Sequence, residues 1–309
     1  MRSLLSVLVI ALVLSLTVFA QEDEGAARSA PQKPLPDVAN GKYGSFERNV
    51  FDLWTPKTKK PSPLVVYIHG GGFVNGDKEK LSANLLRRLL DNGIAVMAIN
   101  YSLMPQYVYP QAYKDASRAI QFARSNAKLW NLDKTKVSAI GSSAGGLTSL
   151  WIGFHDDLAD PKSDDPVLRE STRLSSMAVW SAQTTLVAEI VAQRVGPVTL
   201  KHSFYTGRFF GLKQADMDGE KGKQLTHEAS PLSHLTKGDP PVWAFYSIPD
   251  KPQTDTTTVS EAIHHPNFGK VMKEEMDKLK IECKLRHKDD GKTVNDDVVN
   301  FLIKHFKGK

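Results

Sequence analysis

Residues 141–146 read Gly-Ser-Ser-Ala-Gly-Gly and match the pattern G-x-S-x-G, with Ser143 at its centre. The apolar run Val137–Ile140 comes directly before this stretch, and a helical pattern of small residues, 144–154, follows it. A serine between a strand and a helix predicts a tight turn that lifts its hydroxyl clear of the backbone, and the flanking glycines relieve the crowding. A flexible glycine loop is the simpler alternative, so the pattern needs support from the rest of the chain.

The remainder of the sequence alternates short apolar runs with helical patterns, which predicts a mostly parallel sheet flanked by helices. The runs that we interpret as buried strands are Leu64–Ile68, Ile94–Ile99, Val137–Ile140, Met177–Ser181, Val242–Tyr246 and Ile281–Arg286. The periodic segments that we interpret as helices are Glu79–Asn92, Gln111–Lys128, Ala144–Phe154, Asn267–Lys280 and Val294–Phe306.

A second glycine motif, His69-Gly-Gly-Gly-Phe73, follows the first predicted strand. Ligands of open parallel sheets bind beyond the carboxyl ends of the strands, where both motifs fall. We expect the backbone N–H groups of Gly71, Gly72 and Ala144 to form an oxyanion hole, in which one donor contributes roughly 3 kcal/mol. Phosphate binding is the rival interpretation, but neither G-x-x-x-x-G-K-[ST] nor G-x-G-x-x-G is present at either motif.

Three stretches carry a family resemblance: HGGGF, then NYSLMPQYVYPQAYKDASRAI, then NLDKTKVSAIGSSAGG. Together they resemble the secreted α/β-hydrolase esterases, and most of all the lipase-like branch of carbohydrate esterases with feruloyl and acetyl-xylan esterases. The resemblance implies an α/β-hydrolase fold and a Ser-Asp-His triad in that chain order. It also implies a small-molecule or carbohydrate ester as substrate, with no metal and no organic cofactor.

The sequence departs from the family pattern at the acid and the base. Asp250 stands in the register of the family's acid, although Ser247 replaces the glycine that usually opens the turn. The family's histidine would fall near Gly291, where this chain has none. The expected triad is therefore incomplete or rearranged.

An unexpected pair, His264-His265, precedes Pro266 on the loop after Asp250. We hypothesise that His264 or His265 is the general base for Ser143, because a triad is defined by geometry and roles and its chain order varies between folds. Its acid would be Asp250, or Asp289 or Asp290 of the neighbouring loop. The alternative is that the two histidines cap a helix or face solvent.

The chain begins with a positively charged residue and an apolar run, which predicts a signal peptide over residues 1–20 and a secreted or periplasmic protein. A membrane anchor is the alternative, but the run is shorter than the roughly 20 residues that a span needs. Residues 21–40 are expected to be a mobile leader and residues 41–309 the hydrolase domain. Residues 184–233 are irregular and aromatic, and form either ordinary packing or a cap over a pocket.

Composition excludes little. The formal net charge is +6, but no basic helix carries interleaved aromatic residues, so we expect no nucleic-acid partner. The one cysteine, Cys283, cannot form an internal disulfide. No second apolar span follows, so no stable membrane insertion is expected once the signal is removed.

Two functions from different classes fit these residues. The first is a secreted serine hydrolase that cleaves carboxylic esters through an acyl-enzyme on Ser143. The second is a catalytically impaired member of the fold that binds a ligand, which the missing histidine favours. The paired glycine motifs favour the enzyme, because a non-catalytic chain has little physical reason to keep a strained turn beside an oxyanion loop.

Overall fold

A computed structural model describes residues 32–288 and 294–307, apart from the side chain of Val294. Its strands are β1 (Val38–Lys42), β2 (Val50–Trp54), β3 (Ser62–Ile68), β4 (Ala95–Ile99), β5 (Leu132–Ser142), β6 (Met177–Trp180), β7 (Val242–Tyr246) and β8 (Cys283–His287). Its α-helices are α1 (Ala83–Asp91), α2 (Gln111–Ser125), α3 (Ala144–Phe154), α4 (Ala188–Arg194), α5 (Gln214–Met217), α6 (Glu220–Glu228), α7 (Val259–Ile263), α8 (Asn267–Lys278) and α9 (Val294–Phe306).

Within the described residues the strands form one sheet in the order β1-β2-β4-β3-β5-β6-β7-β8. The pairs β1–β2 and β2–β4 are antiparallel, and the remaining pairs are parallel. This mostly parallel sheet with flanking helices confirms the predicted α/β-hydrolase fold class. The parallel register sets Ile68 beside Gly141, so the ends of β3 and β5 meet at one edge.

Apolar side chains cover both faces of the sheet, as near-continuous hydrophobic strands require. Val66 and Ile68 point into the larger core with α2 and α3, whereas Val65 and Tyr67 point into the second core with α1 and α9. Because successive side chains of a strand alternate, the central strands are buried on both sides. This burial fixes the strand ends that carry the glycine motifs.

Three parts of the fold differ from the prediction. The strands β1 and β2 were not expected, and β1 begins inside the segment that we interpreted as a leader. The helix predicted over Glu79–Asn92 is a 3₁₀ turn at Lys78–Lys80 followed by α1, because Ser82 caps the new helix through the Leu85 N–H. The short helix α7 was also missed. Its capping box joins Thr258 and Glu261.

The interpretation of residues 184–233 as a cap stays a prediction. This stretch, called the cap segment below, contains α4, α5 and α6 and three 3₁₀ turns. Phe204 and Phe209 are buried there, with ring centroids 6.1 and 4.9 Å from that of Phe73 in the HGGGF loop. The cap segment therefore packs onto the core beside the predicted site. In the described part of the chain, no helix has the length and apolar character to cross a membrane.

Candidate active site

The G-x-S-x-G stretch forms a sharp turn between β5 and α3. Ser143 has φ 49° and ψ −119°, a conformation that costs a non-glycine residue about 1–3 kcal/mol. Its backbone N–H donates to the carbonyl of Trp180 at 2.8 Å, which holds the turn against β6. The hydroxyl is thereby presented at the carboxyl edge of the sheet, as the sequence pattern predicts for a nucleophile turn.

The glycines of this turn are required by the close approach of α3 to β3. A Cβ at Gly145 would lie 2.0 Å from the carbonyl oxygen of Ile68 and 2.6 Å from that of His69. A Cβ at Gly141 would lie 2.5 Å from the carbonyl carbon of Gly145. Any side chain at either position would push the helix away from the strand and displace Ser143.

The glycines of the HGGGF loop and Ser143 line one cleft. Gly71 and Gly72 have φ of 120° and 60°, values that glycine adopts without strain. The carbonyl of Gly71 accepts hydrogen bonds from Val74 and Asn75 at 3.0 and 3.2 Å. In residues 32–288 and 294–307, no backbone hydrogen bond of a loop or turn has the N–H of Gly71 or Gly72 as its donor. The oxyanion-hole role of these two N–H groups stays a prediction.

His69 shapes this loop. Its Nδ1 donates to the carbonyl of Gly70 at 2.8 Å, since a carbonyl can only accept, and its Nε2 faces the Arg48 guanidinium at 3.4 Å. The ring stacks on Tyr101 at 4.2 Å. Burial lowers the pKa of His69 to about 4, and the nearby Arg48 also lowers it. His69 is thus a neutral packed residue that supports the glycine loop.

The Ser143 hydroxyl is bonded to an imidazole. Ser143 Oγ lies 2.8 Å from His264 Nε2, and His264 Nδ1 lies 2.7 Å from the carbonyl oxygen of Ser260. Because the carbonyl can only accept, Nδ1 carries the proton and Nε2 keeps its lone pair for the hydroxyl. Burial lowers the pKa of His264, so the ring is neutral at neutral pH. This tautomer is the one that a general base needs.

The position of His264 depends on the end of α7. The last carbonyl groups of a helix have no partners within the helix. Here Ile263 accepts from Gln183 Nε2 at 2.7 Å, and Ala262 accepts from the hydroxyl of Thr199 at 3.2 Å. These two side chains come from the end of β6 and from the cap segment. They hold the helix end so that His264 reaches Ser143.

His265 has a different role. It is 3% exposed, its Nε2 donates to the carbonyl of Lys251 at 2.8 Å, and its Nδ1 accepts from the N–H of Asn267 at 3.1 Å. Both ring nitrogens are therefore used in capping α8 and in holding the preceding loop. Of the two histidines predicted as alternatives, His264 is the one that contacts Ser143.

Among the predicted acids that the structure describes, Asp250 makes no hydrogen bond to His264. Asp250 pairs with Lys270 at 2.7 and 2.6 Å, and this hydrogen-bonded partner lowers the pKa of the aspartate. The carboxylate is 43% exposed and turned toward solvent. Both carboxylate oxygens of Asp250 are thus bonded to Lys270 on α8, and its role as the orienting acid stays a prediction. Asp289 and Asp290 lie outside the described residues.

A cleft of about 700 Å³ opens above Ser143 and His264. The cap segment contributes His202 and Phe204 to its wall, and Gln183 lies at its floor. Burial lowers the pKa of His202 to about 4, so its ring is also neutral. Sequence reasoning missed Gln183, His202 and Ser260. Only the T-x-x-E pattern at Thr258 could have indicated that a helix precedes His264.

The model of the BD-FAE family matches residues 51–252. Among curated proteins, esterase LipC of Mycobacterium tuberculosis is 30% identical over 210 residues, which are 67% of this chain and 50% of LipC. An arylesterase of Saccharolobus solfataricus is 31% identical over 127 residues, 40% of this chain and 41% of that protein. This chain therefore spans about half or less of these two relatives.

Solved structures share the fold. A truncated carbohydrate esterase from gut microbiota has a TM-score of 0.70 at 18% identity, covering 90% of this chain and 99% of its own. The propionate-bound esterase Est2 of Thermogutta terrifontis has a TM-score of 0.62 at 20% identity, covering 89% and 94%. At these identities the likeness concerns the fold.

Proposed function

The chain belongs to the BD-FAE family, and on that premise we propose that it is a serine hydrolase that cleaves carboxylic esters through an acyl-enzyme on Ser143. The observation that carries the proposal is the 2.8 Å contact between Ser143 Oγ and His264 Nε2. A hydroxyl bonded to a neutral imidazole whose other nitrogen is held by an acceptor is the arrangement that activates a serine. The esterase relatives support the same reaction class.

In the first step Ser143 Oγ attacks the carbonyl carbon of the ester while His264 Nε2 takes the hydroxyl proton. The C–O double bond becomes a single bond, and its oxygen carries the negative charge. The N–H groups of Gly71, Gly72 and Ala144 are proposed to stabilise that charge, with each donor contributing roughly 3 kcal/mol. His264 then gives its proton to the leaving alcohol oxygen as the ester C–O bond breaks.

In the second step water replaces the alcohol. His264 removes a proton from the water as its oxygen attacks the acyl carbon. Collapse of the second tetrahedral intermediate releases the carboxylic acid and returns the proton to Ser143. Because the Ser260 carbonyl supplies only a dipole, the imidazolium formed in each step is stabilised less than it would be by a carboxylate. We therefore expect a slower enzyme than one with a complete triad.

The proposed substrate is an acetyl or feruloyl ester on a carbohydrate, met outside the cell or in the periplasm. Two structural neighbours, a carbohydrate esterase from gut microbiota and an acetyl ester-xyloside bifunctional hydrolase of Caldicellulosiruptor lactoaceticus, support that substrate class. The apolar start of the sequence supports export. Acid release from acetylated xylan, compared with release from a short aryl acetate, tests the preference.

The reaction class is tested by labelling the protein with a fluorophosphonate probe and assaying a short-chain aryl ester. We expect label and turnover in the native chain and neither in Ser143→Ala. Ser142→Ala is the matched control and keeps the label, because His264 bonds to the Ser143 hydroxyl. Absence of both label and turnover from the folded native chain would favour the ligand-binding alternative, for which the lack of a carboxylate on His264 in the described residues is the supporting observation.

A further inference from the structure

Three side chains that can bind a transition-metal ion meet where the end of α3 touches the end of the cap segment. His155 follows α3, Glu228 ends α6, and His234 lies just beyond the cap segment. One potential ligand atom from each lies within 4.8 Å of the other two. His155 Nε2 and Glu228 Oε1 are 3.4 Å apart. No motif spacing in the sequence joins these residues.

Backbone carbonyl groups set the tautomers of both imidazoles. His155 Nδ1 donates to the carbonyl of Asp156 at 3.0 Å, which leaves the lone pair on Nε2. His234 Nε2 donates to the carbonyl of Glu228 at 2.7 Å, which leaves the lone pair on Nδ1. Histidines that bind metals nearly always donate their other ring N–H to a carbonyl or a carboxylate in this way.

Packing fixes the imidazole rings of His155 and His234 without a bound ion. Trp151 Nε1 donates to the same Glu228 carbonyl at 2.8 Å, and its ring lies 4.2 Å from that of His155. The His155 and His234 rings are 4.6 Å apart. The side chain of Glu228 is 52% exposed, so an ion can reach the cluster from solvent. The nearby Arg173 is paired with Asp156 and Asp239 at 3.7 and 3.8 Å, which offsets its positive charge.

We propose that His155, Glu228 and His234 bind one zinc-like divalent ion, with water as the fourth ligand. Zinc–nitrogen and zinc–oxygen bonds of about 2.1 Å place the ligand atoms of a tetrahedral site about 3.4 Å apart. The His155–Glu228 separation already has this value, and small side-chain rotations close the rest. Imidazole and carboxylate together favour zinc or its transition-metal neighbours over magnesium and calcium.

The ion stabilises the fold and takes no part in ester cleavage. Ser143 and His155 stand at opposite ends of α3, which at about 1.5 Å per residue separates them by roughly 18 Å. The ligands join the core helix α3 to the end of α6 and to the residue that follows the cap segment. An ion bound only by the folded chain raises the stability of that junction.

The test is a zinc titration of untagged, chelator-treated full-length protein, by calorimetry and by thermal unfolding. We expect one zinc per chain and a higher Tm, with no effect of magnesium. Glu228→Gln weakens binding at least about tenfold, and His155→Ala weakens it about a hundredfold or more, since loss of even a supporting partner costs 10- to 100-fold. Glu228→Gln keeps the backbone carbonyl and an exposed side chain, so its folding is preserved.

His227→Ala is the matched control, because His227 is an exposed histidine next to Glu228 on the same helix. It should bind zinc like the native chain. Equal zinc affinity in the native chain, Glu228→Gln and His155→Ala would overturn the proposal, and so would the absence of zinc binding by the native chain. The readout does not involve ester turnover, so the test of the metal site is independent of the test of the proposed reaction.

Discussion

His264 Nδ1 donates to the backbone carbonyl of Ser260 at 2.7 Å, at the ring position where a Ser-His-Asp triad has its carboxylate. Ser260 lies one helical turn before His264, in the helix that carries it. The base is thus oriented by its own helix. The carbonyl fixes the tautomer as a carboxylate would, but it brings no negative charge to the imidazolium.

The first prediction concerns the two neighbouring histidines. His264→Ala should lower kcat by about 10²- to 10⁴-fold, because it removes the group that accepts the Ser143 proton. His265→Ala should keep most of the turnover per folded molecule and lower Tm, because its ring caps α8 and holds Lys251. Steady-state kinetics and thermal unfolding of both variants check this. Equal kinetic losses in the two would contradict the assignment.

The second prediction is the pH dependence. The base acts in its neutral form, so kcat/KM rises with pH through the pKa of His264. Burial lowers that pKa, which places the half-maximum below the ordinary value of 6.5 and a plateau at neutral pH. The measurement is kcat/KM for an uncharged aryl ester between about pH 4 and 8, with fluorescence at each pH to verify folding. A half-maximum at or above 6.5 would argue against a buried base.

The third prediction concerns Gln183, whose amide donates to the Ile263 carbonyl. Gln183→Leu leaves that buried carbonyl unpaired, at a cost of about 1–3 kcal/mol, and releases the end of α7. We expect kcat to fall roughly tenfold or more while the protein stays folded. In a His264→Ala background the same substitution should lower kcat no further. Additive losses in the double variant would show that Gln183 does not act through His264.

The fourth prediction tests the close approach at the turn. Gly145→Ala should destabilise the protein by about 3 kcal/mol, at the upper end of the usual cost of overpacking, because its Cβ would overlap the Ile68 and His69 carbonyl oxygens. Gly219→Ala is the control and should cost less than about 1 kcal/mol. A Cβ at Gly219 would lie 3.6 Å from its nearest neighbour, the backbone carbonyl oxygen of Asp216, and the φ of Gly219 is −87°. Urea unfolding of the two variants measures the difference, and similar costs would refute the argument.

The local pattern of apolar residues was sufficient to predict the helices and strands that are fully buried. The helix α3 and the strand β7 lie at the predicted residues, because an apolar helix and an apolar strand in this core have few alternatives. The strands β1 and β2 escaped prediction because they contain or adjoin polar and small residues such as Asn40, Gly41 and Asp52. The strand β2 is held by pairing with β4, and β1 is held by pairing with β2, so sheet hydrogen bonds supply what their own sequences lack.

Motifs predicted the part of the candidate site around Ser143. They could not predict the contacts in which a side chain bonds to a backbone carbonyl. The glycine spacing indicated the turn at Ser143, but no pattern distinguishes His264 from its neighbour His265. The carbonyl groups that each ring faces make that distinction, and any residue type can provide them. Asp250 matched the family register, yet Lys270 on a later helix takes its carboxylate.

The hydroxyl of Thr199 in the cap segment bonds to Ala262, two residues before His264. The cap therefore does more than form the cleft wall, because it also helps to fasten the helix that carries the proposed base. In an engineering experiment we therefore expect that the cap segment cannot be exchanged on its own. A replacement for the cap segment would have to bring its own hydrogen-bond donor to the end of α7, or it would change turnover together with substrate preference.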